Sequence, residues 1–530
     1  MKETFDELEL NSGQAAKYFW SFAALWFGIW VALPCLMCAA PSNFDVIEQL
    51  ILGREWVLGS AHHPPFAFWC IESVYQLCGH VVASSAVCGA LASFVGLLAI
   101  WRFSRYYVSE TKALLIVFAS AAYRYLNMGN VNFTTSIPPT VIWCLAIFLL
   151  FRAVEFDRLR DWLWVGLVLG IGMICKYSLG LLVLTMVLYL FWERKCRRYW
   201  LTPGPWLTTA AAFLVFSPHF YWLIQNDFPP FRFAANLLSE SSPWNHLLTP
   251  LRFMGCQCFL ILPVLIPLIP LCGYIWQLKR DRTAVLQSAA RPSEDPEESA
   301  FRRRFLTFMF WFPILLQVGL FAYTGTENMR SQYGSPLWTL FALWYVLFFR
   351  NFSGSLPLRR SFQFAAAVLF ITVTCYWADF QFRYQFTSRP GHAEFPTQEL
   401  GSRLEDIWNE RYAGIPCPML TGHWKLAGHA ALGMKNRPAV LCYYDGLEEW
   451  CRPLIVEISD EDFAKNGGIV VWLYEEKTPD SETDEVPEFL ARRFPTAVVS
   501  PEILSIPWRT SAELPPLRVR YAIAPPQTEK

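Results

Sequence analysis

About eleven stretches of roughly 20 apolar residues recur along this chain, and no other feature limits its fold so severely. A run of that length covers the hydrocarbon core of a bilayer, about 30 Å, where backbone polar groups must be satisfied within the protein. The runs fall near residues 18–40, 82–101, 112–126, 137–152, 162–176, 178–193, 206–224, 253–277, 305–323, 336–349 and 362–378. A composition of 54% hydrophobic and 17% charged residues excludes an ordinary soluble globular profile. The 24 Trp and 43 Phe suit interfacial belts and lipid-facing helices. The expected fold class is a polytopic α-helical membrane protein with juxtamembrane helices and a C-terminal soluble α/β domain.

Lys and Arg set the expected orientation. With the N-terminus inside, the gaps after odd-numbered spans hold Arg54, Arg124, Lys176, Arg232 and Arg330, one each. The gaps after even-numbered spans hold groups, such as Arg102, Arg105 and Lys112, or Arg194, Lys195, Arg197 and Arg198. The bias, about four to one, assigns the second set to the cytoplasm. The N-terminal MKETFDELEL carries acids and no basic n-region, so it is not read as a cleavable signal. Counting residues 65–79 as a span would reverse every later loop against this bias. They are predicted instead to form a helix at the outer interface, within a first external loop running 41–81. A formal net charge of zero gives no sign of a nucleic-acid partner.

Two domains are expected: 1–378 in the membrane and 379–530 outside it. In the second, PAVLCYYDG, GGIVVWLYEE and LRVRYAIAP read as strands, and EFPTQELGSRLEDIWNERY as a helix. Residues 281–301 read as a polar cytoplasmic linker. Most of the 15 cysteines sit inside apolar runs and read as small packing residues. Cys417, Cys442 and Cys451 could give one disulfide and one free thiol in an oxidising compartment.

The first external loop is the wrong composition for a simple connection. Asp45, Glu48, Arg54 and Glu55 sit among apolar residues beside a bilayer, where charges are costly unless paired or used. Asp45 and Glu48 are one helical turn apart on a helix predicted over Val46–Leu58. Two carboxylates at an apolar interface invite a raised pKa on one of them, which suits a general base. A structural role competes, because Ser42-x-x-Asp45 fits a capping box. His62 and His63 precede Pro64-Pro65, a stiffened turn suited to phosphate. No third ligand stands at a metal-binding spacing, so no metal and no cofactor is expected.

Other polar residues gather at the same expected edge: Tyr123-Arg124-Tyr125 with Asn127, Asn130 and Asn132; Lys176-Tyr177; Arg232 in QNDFPPFRF; and Arg330 with Tyr333. Each alone fits a snorkelling interfacial residue. Together they suit an anionic lipid headgroup and a polyol.

NFDVIEQLILGREWVLGSAHHPPFAFW resembles the first external loop of bacterial polyprenyl-phosphate-sugar-dependent glycosyltransferases of the C-type membrane fold. That group takes in protein O-mannosyltransferases, lipid A aminoarabinose transferase and rhizobial galacturonic acid transferases. Asp45 occupies the acidic position and His63-Pro64-Pro65 the turn that follows it. Lys176-Tyr177, NDFPPFRF and TGHWKLAGHAAL resemble further segments of the group.

The resemblance implies an inverting, metal-independent transfer on the outer side of a bacterial inner membrane. The donor would be a polyprenyl-phosphate sugar and the acceptor an envelope glycolipid, glycan or protein. Asp45 would be the base, and His62, His63, Lys176 and Arg330 would meet the leaving phosphate. The rivals are a transporter or flippase of a lipid-linked sugar, and a glycan ligase or polymerase. A transporter would be expected to show interrupted mid-membrane helices and inverted repeats, and the sequence shows no repeat.

Overall fold

The structure is a computed structural model. It describes residues 10–239, 242–271, 296–327, 329–348, 355–387, 390–443, 457–474, 492–508 and 514–526. Helix dominates. In chain order the α-helices begin with α1 (Ser12–Met37), α2 (Asp45–Arg54), α3 (Phe66–Cys78), α4 (Val81–Ser104), α5 (Glu110–Ala121) and α6 (Ile137–Phe156). They continue with α7 (Leu159–Met173), α8 (Gly180–Trp192), α9 (Pro203–Gln225), α10 (Pro229–Ser239), α11 (Asn245–Leu265) and α12 (Pro296–Thr324). The last are α13 (Phe341–Phe348), α14 (Ser355–Thr387), α15 (Thr397–Arg411), α16 (Trp424–Gly433) and α17 (Asp460–Asn466).

Among the described residues, seven helices are long and apolar enough to cross a membrane: Ser12–Met37, Val81–Ser104, Ile137–Phe156, Pro203–Gln225, Asn245–Leu271, Glu297–Thr324 and Leu358–Arg383. The protein is a multi-pass membrane protein. The other four expected spans are shorter helices: α5, α7, α8 and α13 have 12, 15, 13 and 8 residues. At about 1.5 Å per residue, none alone covers a hydrocarbon core of about 30 Å. Apolar composition ran past the helix ends; α5 stops at Ala121 and a 3₁₀ turn, Arg124–Leu126, follows. Nearly all of α5 is buried, so protein surrounds it. Of the expected linker, 281–295 lies outside the described residues, and α12 already runs from Pro296.

The chain divides into two compact units. The first comprises Met1–Ala32, Val87–Tyr221 and Ala234–Trp377; the second comprises Leu33–Ala86, Trp222–Phe233 and Ala378–Lys530. In the first unit, α6 opens on Ile-Pro-Pro, where proline's fixed φ and missing N–H suit a first helical turn. It lies against α7, and α12 lies against α8 and α11.

The second unit carries a six-stranded mixed sheet in the order β2-β1-β3-β6-β4, with β5 also on β6. Its strands are β1 (Met419–His423), β2 (Ala439–Tyr443), β3 (Gly468–Leu473), β4 (Val498–Val499), β5 (Leu504–Ile506) and β6 (Leu517–Ala524). β1 runs parallel to β2 and β3, with Leu420 opposite Val440 and Ile469; β6 is antiparallel to β3, β4 and β5. Sequence reading found β2, β3, β6 and α15 but missed β1, a short buried strand running straight into α16. Met419, Leu441, Phe463, Val470, Trp472 and Ala522 form one core on this sheet.

The first-loop helix α2 belongs to this second unit. Gly53 of α2 permits its close approach to α3, because a Cβ there would lie 2.6 Å from the Phe68 carbonyl oxygen. On another side it meets α16, where Gly428 faces Ile47 and Ile51. Cys417 is a buried free thiol, and burial pushes it up to about 12. The side chains of Cys442 and Cys451 lie outside the described residues.

His429 on α16 is fully buried, stacked 4.0 Å from the Phe395 ring, with Nδ1 2.7 Å from the Thr397 hydroxyl. Burial lowers its pKa to about 3. A folded-state pKa below the ordinary value of about 6.5 means the unfolded chain binds the extra proton, so stability is lost as pH falls below about 6.5. His429→Phe is expected to remove about 2 kcal/mol of the stability lost between pH 6.5 and 5. Melting curves at both pH values check this; an equal acid sensitivity in variant and parent would refute it.

Candidate active site

The residues predicted from the sequence fall in both units, and each set is described within its own. In the second unit, Asp45 is the first residue of α2. Its backbone N–H donates to Asn43 Oδ1 at 2.9 Å, and its carbonyl accepts from Gln49 Nε2 at 3.0 Å. Phe44, not Ser42, occupies the cap position of α2, and its side chain makes no cap hydrogen bond. Asn43 takes the local role instead, and α2 ends at Arg54 rather than Leu58. Asp45 and Glu48 both stand in the first turn, where the helix dipole favours negative charge. Asp45 is half-buried and Glu48 is buried.

Phe44 anchors this end of α2. Its ring lies 4.0 Å from His392, 5.7 Å from His429 and 6.3 Å from Trp424. Lys425 Nζ stands 4.8 Å from the same ring. TGHWKLAGHAAL, singled out by resemblance, is therefore the segment that holds the residue beside Asp45. Burial, with Lys425 and Arg383 nearby, lowers the pKa of His392.

The other end of α2 carries Arg54, which is ion-paired with Glu55. Beyond it, the His-His turn is organised by a residue the sequence reading passed over. Ser60, fully buried, accepts from the His63 and His62 backbone N–H groups at 3.0 and 3.3 Å and donates to the His63 carbonyl at 3.2 Å. The His62 ring lies 4.1 Å from Phe233, and Gly59 abuts the Trp222 indole. The structure thus brings His62 against the segment that carries Arg232, whose guanidinium pairs with Asp227 at 3.4 Å.

A buried ion pair locks α2 and α3 to the C-terminal part of the unit. Arg437 donates two hydrogen bonds to Glu72 of α3, at 2.9 and 2.8 Å, and a third to the Leu50 carbonyl of α2 at 3.0 Å. Its guanidinium also lies 4.0 Å from the Tyr75 ring. Glu72 is 2% exposed. Neither residue was singled out from the sequence, because they are 365 positions apart.

In the first unit, Lys176 donates to Ser136 Oγ at 3.0 Å and lies 5.7 Å from the Tyr333 ring. The Ser136 carbonyl accepts from Ser335 Oγ at 3.4 Å, and the Ser335 carbonyl accepts from the Tyr123 hydroxyl at 3.0 Å. Four segments distant in sequence therefore meet at Lys176. Tyr177 pairs through its hydroxyl with His219 Nε2 at 2.8 Å. Ser136, Ser335 and His219 were missed, although a histidine inside an apolar run is itself a functional signal.

Arg124 and Arg330 are exposed and have no carboxylate partner among the described residues. Asn132 is half-buried. Asn127 and Asn130 do not belong to an exposed polar patch. Both are buried, tied to the Ala121 carbonyl and to Ser93 Oγ, so they brace the loop. Among the described residues, no group of three His, Cys, Asp or Glu side chains could hold a metal ion.

Comparison with known proteins gives four concordant likenesses. Residues 62–222 match the family described as dolichyl-phosphate-mannose-protein mannosyltransferase. The chain is 21% identical to the lipopolysaccharide core galacturonosyltransferase RgtB of Rhizobium johnstonii, over 88% of this chain and 89% of that one. It is 19% identical to RgtA of the same organism, over 57% of this chain and 59% of that one. Its fold is similar to that of ArnT from Cupriavidus metallidurans bound to undecaprenyl phosphate, with a TM-score of 0.56 at 14% identity, over 98% of this chain and 100% of that one. These likenesses agree with the one read from the first external loop. The protein is a membrane glycosyltransferase of the kind that works from a lipid-linked sugar.

Removing one partner of a buried ion pair strands a charge and costs about 3–5 kcal/mol. Arg437→Met is therefore expected to destabilise the second unit by about that amount, with Glu72→Gln added to it recovering part of the loss. Thermal denaturation of the purified protein measures both. A single variant that melts like the parent would refute the lock.

Proposed function

We propose that the protein is an inverting glycosyltransferase that moves a sugar from polyprenyl phosphate to an envelope glycolipid on the outer side of the bacterial inner membrane. The observation that carries this reading is the likeness to RgtB over nearly nine-tenths of both chains. RgtB's activity on lipopolysaccharide core favours a glycolipid over a protein or another glycan as acceptor. The likeness to an undecaprenyl-phosphate-bound fold supports the lipid carrier. None of the likenesses favours a transporter or a ligase.

In the proposed reaction the acceptor oxygen attacks the anomeric carbon as the bond from that carbon to the phosphate oxygen breaks. The bonding electrons leave with polyprenyl phosphate, and the acceptor proton passes to Asp45. A half-buried place at the first turn of α2 supports that role for Asp45. Glu48, buried one turn on, is assigned to hold the local charge pattern around Asp45.

The leaving phosphate needs donors as its charge develops. Arg54, His62, His63 and Arg232 are the candidates in the second unit; Arg124, Asn132, Lys176, Tyr177, Arg330 and Tyr333 are those in the first. Lys176 is favoured among them, since the Ser136 hydroxyl and the Tyr333 ring fix its ammonium where segments distant in sequence meet. The loop charges favour a cytoplasmic N-terminus and residues 379–530 on the periplasmic side.

Asp45→Asn is expected to lower transfer by about 10²–10⁴, the usual worth of a general base. Lys176→Met is expected to cost about 10²–10³, as for one lost donor to a developing anion. Purified protein given a polyprenyl-phosphate sugar and lipopolysaccharide core is assayed for free polyprenyl phosphate. Near-normal release by the Asp45 variant would remove it as the base, and release that ignores the acceptor would contradict transfer.

A further inference from the structure

At the opposite ends of the first unit's helices from Lys176 and Ser136 lies a cleft of about 580 Å³ that the transfer reaction does not use. It opens where α4 ends, α5 begins and α6 ends. Ser136 precedes the first turn of α6 while Arg152 stands in its last two turns, so the cleft is more than 20 Å from the Lys176 cluster. This is the end of the bundle where the loop arginines concentrate.

The cleft has two faces of different chemistry. Val95, Leu98, Leu145 and Phe148 make an apolar wall on two helices that are long enough to span a bilayer. Arg102, Arg105, Glu110 and Arg152 make a polar mouth. Aromatic rings hold the guanidiniums in place without neutralising them. Arg102 and Arg105 lie 5.5 and 5.1 Å from the Trp101 ring, itself stacked 4.3 Å from Phe19, and Arg152 lies 5.9 Å from Phe148.

The charges do not cancel. Arg105 pairs with Glu110 at 2.7 Å and Arg152 with Asp161 at 3.1 Å, whereas Arg102 has no carboxylate partner among the described residues. Two buried polar atoms at the mouth also lack hydrogen-bond partners: the donor Arg152 Nε and the acceptor Glu110 Oε2. A buried donor or acceptor left unmade costs about 1–3 kcal/mol, which a matching ligand recovers.

We propose that this cleft binds one glycerophospholipid of the bilayer. A phosphodiester carries a single negative charge, matching the single uncompensated guanidinium of Arg102, and can accept from Arg152 Nε. A headgroup hydroxyl or ammonium donates to Glu110 Oε2, which a choline headgroup cannot do. The acyl chains follow the apolar wall, continuous with the exposed Val95 and Leu91 of α4. That wall selects a lipid over a free phosphate, and the two kinds of group at the mouth select phosphatidylglycerol or phosphatidylethanolamine over phosphatidylcholine. Basic pockets between spanning helices are a known means of holding lipid headgroups.

Native mass spectrometry of the full-length protein in detergent tests this, with phosphatidylglycerol, phosphatidylethanolamine, phosphatidylcholine and sn-glycerol 3-phosphate as separate probes. One phosphatidylglycerol or phosphatidylethanolamine is expected to be retained, and Arg102→Gln is expected to weaken retention about fivefold. Should that variant not fold, Leu98→Trp, which fills the cleft from the apolar side, is expected to weaken it as well. Equal retention by the variants and the parent, equal retention of phosphatidylcholine, or equally tight binding of glycerol phosphate would each overturn the proposal.

Discussion

The second unit depends on the ion pair between Arg437 and Glu72. Arg437 adopts a left-handed backbone conformation, φ +46°, which costs a residue with a Cβ about 1–2 kcal/mol. What holds it there is a set of contacts to α2 and α3 together: two bonds to Glu72, one to the Leu50 carbonyl, and the face of Tyr75. A segment of mixed charge beside a membrane is thereby held by a folded α/β body rather than left as a loop. Asp45 owes its fixed position to this arrangement, since Phe44 beside it is clamped by His392, Trp424 and His429.

The first unit reaches a similar end by other means. Its loops are tied by hydrogen bonds between uncharged groups, from Tyr123 to Ser335, Ser335 to Ser136, and Asn130 to Ser93. Lys176 enters that network through Ser136 and Tyr333. A cation held by a hydroxyl and a ring face suits a place where negative charge develops during reaction.

Sequence reading reached the chemistry better than the geometry. Membrane class and the kind of enzyme were legible because length, hydropathy and short local motifs carry them. The lock was not: Glu72 reads as one acid in an apolar helix and Arg437 as one base before a proline. Their pairing depends on a sheet whose interior strand β1 is only five residues long. A similar limit applies to Asn127 and Asn130, polar by type yet buried, the first bonded to the Ala121 carbonyl and the second to Ser93, 37 positions away. Helix length failed for a related reason. Apolar residues continue past the ends of α5 and α13 into turns packed inside protein, where composition cannot mark the boundary.

The central claim is that a sugar leaves a polyprenyl phosphate and ends on an envelope glycolipid. Mass spectrometry of lipid A, lipopolysaccharide core, glycans and glycoproteins from cells with and without this protein tests it most directly. The account predicts one glycolipid species that lacks a single sugar when the protein is absent and regains it on complementation. An unchanged inventory in every class would contradict the account.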